Sequence, residues 1–147
     1  MERTTKRFKT ASLMVLLFAG LSLLETVSEL LFGELNSAEI PEGAPENVLM
    51  ITKIILLVLA LLFLLPKLYV GLKGLRVAKN PNTSKGHIVW AMIIFVFAVL
   101  DLIKPVSSLF TQGFAYESLS TITSVVLELV IYYEYIKFAR EVRKLAE

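Results

Sequence analysis

The 147-residue sequence contains no cysteine, one histidine and one tryptophan. Without cysteine there are no disulfides, no thiol catalysis and no Cys-based metal sites. A lone His87 forms no histidine cluster, and a carboxylate-only cage for a hard cation would need a ligand spacing that is not present. Net charge is only +2, so the chain lacks the strongly basic face that nucleic-acid binding requires. Low-complexity tracts are missing too. No nucleophile–base pair with recognisable spacing occurs, so the reading contains no catalytic residue and no cofactor, and the chain is not expected to be an enzyme.

What the sequence has is apolar length. Hydrophobic residues make up 56% of the chain and mean hydropathy is +0.70, above the roughly 45–50% apolar content usual in soluble domains. The apolar residues fall in runs, with charges gathered between them. A membrane helix needs about 20 mainly apolar residues, and four stretches qualify. They are about 10–33, 48–70, 87–110 and 117–138, the last being the weakest. The expected fold is therefore an all-α membrane protein, a single four-helix transmembrane domain over 1–147 in which the helices form an antiparallel bundle. Residues 34–47, rich in Pro, Gly and Glu, read as a loop, and Ser84 reads as an N-cap for the third helix.

Orientation follows from Lys and Arg, which accumulate in cytoplasmic segments. Apart from Lys53, Lys67 and Lys104, every Lys and Arg lies in the N-terminal tail, the second connection or the C-terminal end. Four spans put all of these on one side, whereas an odd number would not. The expected location is the cell membrane, multi-pass, with the N- and C-termini both cytoplasmic. The first span is too long for a signal peptide and is followed by no small-residue cleavage site.

Six ionisable residues fall inside these spans: Glu25 and Glu29, Lys53, Asp101 and Lys104, and Glu128. A charge at the bilayer centre costs about 2.5–3.5 kcal/mol, so such residues usually face a bundle interior or a wet cavity. At about 1.5 Å per residue, five lie roughly 6–14 Å from the outer ends of their helices, and Glu128 lies near the midplane. Helical phase gives each span one polar stripe. Ser22, Glu25, Thr26 and Glu29 share the first, and Lys53, Ala60, Lys67 and Gly71 the second. Asp101, Lys104 and Ser108 share the third, and Ser120, Thr121, Ser124, Glu128 and Tyr135 the fourth. All four stripes are expected to point inward, with Lys53 paired to Glu25 or Glu29 and Lys104 to Asp101 or Glu128. Four acids against two lysines leave carboxylates in excess, and Glu25 and Glu29 would titrate as a coupled pair.

Pro105 is the candidate kink. It lacks an N–H and crowds the carbonyl four residues back, that of Asp101. Interrupted helices recur at ion and substrate sites in transporters and also as plain bends. Trp90, Tyr69 and Tyr116 read as interfacial belt residues, and His87 as solvated at the cytoplasmic edge.

Two functions are carried forward. One is a transporter or channel-like component that binds a cation, a proton or a small cationic solute in an outward-facing polar cavity. The other is a non-catalytic accessory or structural subunit whose membrane charges pair within the bundle or with a partner. The expected partners are the lipid bilayer and a second copy or another membrane protein, with no nucleic acid.

Overall fold

The computed structural model describes residues 2–32, 45–81, 85–113 and 116–146, without the side chains of Glu29, Gln112 and Glu117. Most of the 34–47 loop and the Ser84 cap lie outside the described residues. The described residues form helices and connecting turns, with no strand: α1 (Glu2–Phe32), α2 (Glu46–Lys79), α3 (Gly86–Asp101), α4 (Ile103–Gln112) and α5 (Tyr116–Lys144). With α3 and α4 taken together, four helical stretches are long and apolar enough to cross a membrane.

The helices outrun the hydropathy at their charged ends. α1 begins at Glu2 rather than near Thr10, α2 runs to Lys79 rather than Val70, and α5 runs to Lys144 rather than Phe138. Lys, Arg, Glu, Leu and Ala are all good helix formers, so the backbone has no reason to stop where the apolar run stops. Hydroxyls inside the helices close on their own backbones. Ser12 donates to the Phe8 carbonyl at 2.9 Å, Thr26 to Ser22 at 2.9 Å and Thr123 to Leu119 at 2.8 Å, which satisfies them without an outside partner.

Packing concentrates at the basic ends. The buried side chains include Phe8, Ser12 and Val15 of α1, Val70 and Val77 of α2, His87 and Ala91 of α3, and Tyr132, Tyr135 and Val142 of α5. Towards the acidic ends, no described residue of α1 beyond Ala19, of α2 before Leu64, of α3 and α4 beyond Ala98, or of α5 before Tyr132 is buried. The tight layer depends on glycine. A Cβ on Gly71 would lie 2.5 Å from Leu16 Cγ, and one on Gly74 would run into Ser12 Oγ and lie 2.7 Å from the Tyr135 hydroxyl. Small residues at such spacing let membrane helices approach closely. Tyr135 also donates a buried hydrogen bond, 2.9 Å, to the Val70 carbonyl.

His87 is not solvated. It is 2% exposed, its ring 6.3 Å from Phe8 and edge-on to Tyr135 at 6.1 Å. Because α1 and α2 extend past their apolar runs, the supposed membrane edge is instead a packed layer.

Candidate functional site

The inward face of each helix can be followed from the core towards the acidic ends. On α2 it reads Ala78, Gly74, Gly71 and then Lys67. On α5 it reads Val142, Ala139, Tyr135, Tyr132 and then Glu128. On α3 it reads Ala91, Ile94, Ala98 and then Asp101. These are steps of three and four residues, the repeat of one helix face. The ionic residues therefore continue the buried stripes at the level where apolar packing ends.

Lys67 and Glu128 meet there. Lys67 Nζ lies 2.6 Å from Glu128 Oε1, and the two side chains keep 24% and 20% of their accessible surface. Together with Asp101 they line a crevice of about 470 Å³ between α2, α3 and α5, walled by Phe63, Trp90 and Phe97. A smaller crevice of about 160 Å³ reaches Lys67 from the α1 side, past Ser22 and Thr26. Lys67 thus stands between two cavities with its charge held by one carboxylate. The larger one falls within the range of about 300–1,000 Å³ typical of small-molecule sites.

Asp101 is placed by the interruption of the third apolar helical stretch. α3 ends at Asp101, Leu102 is a turn, and α4 starts at Ile103. The Leu102 amide donates to the Val99 carbonyl at 3.2 Å, and the regular pattern resumes with Val106 donating to Leu102 at 3.1 Å. Between them, Pro105 has no N–H to offer the Asp101 carbonyl. Past the break, Ser108 and Ser118 hydroxyls lie 2.9 Å apart and tie α4 to the start of α5.

Of the six charges singled out in the sequence, the exposed Asp101 and the half-buried Glu128 share the crevice. Glu25 and Lys104 are exposed and Lys53 is half-buried. None of these three lines either crevice. Lys53 lies about 21 Å from Lys67 along α2, at ~1.5 Å per residue. The Glu29 side chain lies outside the described residues. Among the described residues, Glu25, Lys53, Asp101 and Lys104 take part in no ion pair. The partner of Glu128 is therefore Lys67, not Lys104, and the balance of acids to lysines changes accordingly.

Lys67 shares the stripe of α2 that helical phase turns inward, but it lies near the basic end of the apolar run and is not among the six charges. The small and apolar residues that continue at helical spacing through Gly74 and Ala78 were the available signal. Trp90, read as a belt residue, contributes to the crevice wall. Among the described residues no group of three or more His, Asp and Glu side chains is placed to hold a metal ion. The chain matches no protein-family model, and no curated protein or solved structure is significantly similar to it.

Proposed function

We propose that the chain is an integral membrane protein of four spans alternating in direction, with both ends cytoplasmic, that binds a small organic cation in the α2–α3–α5 crevice as part of a transport cycle. One observation carries the reading: Asp101 and the Lys67–Glu128 pair line the same aromatic-walled crevice.

The charge balance of that crevice favours a monovalent cation. Two carboxylates and one ammonium line it, so with all three ionised it carries one net negative charge. One bound cation would make it neutral, which matters where water is scarce. Phe63, Trp90 and Phe97 offer apolar contact and ring faces that attract a cation. The ligand class is therefore a monocation with an apolar body rather than a hydrated metal ion, which would need more oxygen ligands. Lys67 supplies a means of exchange. A cation drawn to Asp101 competes with the Lys67 ammonium for Glu128, and departure of the cation lets the pair re-form.

Trp90 is the sole tryptophan and lines the crevice, so its fluorescence reports occupancy directly. Tetraphenylphosphonium titrated into the protein in lipid nanodiscs is expected to quench Trp90 saturably. Asp101→Asn should weaken the apparent affinity about tenfold, or ~1.4 kcal/mol, and Glu25→Gln should leave it unchanged. A purely linear, lipid-partition response in the wild type would refute the reading, as would an unaltered curve for Asp101→Asn. The accessory or structural reading is favoured by the pairing of Lys67 with Glu128. On that reading the pair sets only register, and no saturable binding follows.

A further inference from the structure

On the basic side, away from the cation crevice, α3 and α5 leave a groove of about 470 Å³. Its wall is apolar, formed by Met92, Phe95 and Ile136, and its rim carries Lys137, Arg140 and Lys144. The three cations are spaced three and four residues apart on α5 and so share a face. All three are exposed. One acid, Glu141, also lines the groove, so a positive excess remains.

Arg140 joins the two halves of the groove. Its Nη2 donates to Met92 Sδ at 3.4 Å, which holds the guanidinium over the apolar wall. A thioether is a weak acceptor, and guanidinium has five donors in a planar fork suited to phosphate oxygens. Lys137 Nζ sits 5.5 Å from the centre of the Phe138 ring, its charge still accessible beside Arg140. The groove therefore combines a fork for a phosphate with a hydrocarbon-lined channel beginning directly beneath it.

We infer that this groove is a binding site for one anionic glycerophospholipid of the leaflet on the basic side. The phosphate is held by Arg140 with Lys137 and Lys144, and an acyl chain lies along Met92, Phe95 and Ile136. A free phosphate would use the rim and leave the wall empty. A zwitterionic lipid carries its own ammonium next to the phosphate and has less use for three cations. The assignment rests on insertion in a membrane and is independent of the cation crevice.

A second groove on the other flank of α5 serves as an internal comparison. It is lined by Arg3, Lys6 and Arg7, and here one of the cations already has an acidic partner. Lys6 lies 2.8 Å from Glu2, Arg7 is stacked over Phe138 at 5.9 Å, and Glu134 stands in the lining. It has the same net charge but offers a phosphate less.

Thermal unfolding of the purified protein in detergent separates the possibilities. Phosphatidylglycerol is expected to raise the unfolding midpoint, whereas equal amounts of phosphatidylcholine or inorganic phosphate should not. The increment should fall by at least half in Arg140→Gln/Lys144→Gln and persist in Arg3→Gln/Lys6→Gln, which removes the same amount of charge. Equal stabilisation by phosphatidylcholine, or the full effect from inorganic phosphate, would overturn the proposal. An increment that survives in the Arg140 variant, or falls equally in both variants, would overturn it too, the latter by showing bulk electrostatics. Loss of tetraphenylphosphonium binding at the crevice would leave this result untouched.

Discussion

Exchanging the charges of Lys67 and Glu128 tests the helix register on which the crevice depends. A fully buried pair broken on one side costs about 3–5 kcal/mol, while an exposed pair is worth about 0–1 kcal/mol. With 24% and 20% of the two side chains still accessible, this pair lies between those limits. Polar contacts inside membranes also fall short of simple expectation, because the unfolded chain in lipid finds other partners. Glu128→Lys alone would set two ammoniums in contact. Their repulsion is about 4 kcal/mol at 4 Å and an effective dielectric of 20, before either flexible stem swings away. A net loss of about 2–3 kcal/mol is therefore expected for Glu128→Lys, with a similar loss for Lys67→Glu. Because the two groups are in direct contact, the double variant Lys67→Glu/Glu128→Lys should return to within about 1 kcal/mol of wild type. That implies a coupling energy of at least about 3 kcal/mol.

The assay is reversible unfolding in mixed micelles of rising dodecyl sulfate content, followed by far-ultraviolet circular dichroism. Additive losses in the double variant would refute the contact and with it the register. Pairing Glu128→Lys with Lys53→Glu should give no rescue, because Lys53 lies on the same helix about 21 Å away, at ~1.5 Å per residue.

Three further outcomes follow from the packed layer and the charge asymmetry. Gly74→Ala should destabilise by about 1–3 kcal/mol, the usual cost of overpacking, because its methyl meets Ser12 and Tyr135. Gly20→Ala, with nothing within 4 Å of the new Cβ, should be neutral or stabilising by up to about 1 kcal/mol through helix propensity, and the same unfolding assay compares them. Tyr135→Phe removes the hydrogen bond to Val70 while keeping the ring, so a loss of about 0.5–1.5 kcal/mol is expected; no loss would show that the bond contributes nothing to stability. Since the chain has no cysteine, single cysteines at Arg3 and Thr111 can be labelled without background. A membrane-impermeant maleimide on intact cells should modify Thr111→Cys and spare Arg3→Cys until the cells are opened, and labelling of both from outside would reject the orientation.

The four apolar helices were legible in the sequence because a span cannot hide its need for about 20 apolar residues. Their ends were not. Hydropathy reads composition, whereas helix termination depends on backbone signals, and α2 lacks such a signal at Val70. That difference is why His87 reads as solvated from the sequence although it is buried. The partner of Glu128 was illegible for another reason. Lys53 and Lys67 lie close in helical phase on α2, so phase alone cannot choose between them, and the choice needs the register of α2 against α5. Contacts in the packed layer supply it: Gly74 against Tyr135, and the Tyr135–Val70 hydrogen bond. From that bond, Glu128 is about 10 Å along α5 in the acidic direction and Lys67 about 4–5 Å along α2 in the same direction, at ~1.5 Å per residue. The reach of the lysine stem and of the glutamate closes the remaining gap. The ion pair is thus a consequence of apolar packing two turns away, so a substitution that shifts that packing, such as Gly74→Ala, should also weaken the coupling between Lys67 and Glu128.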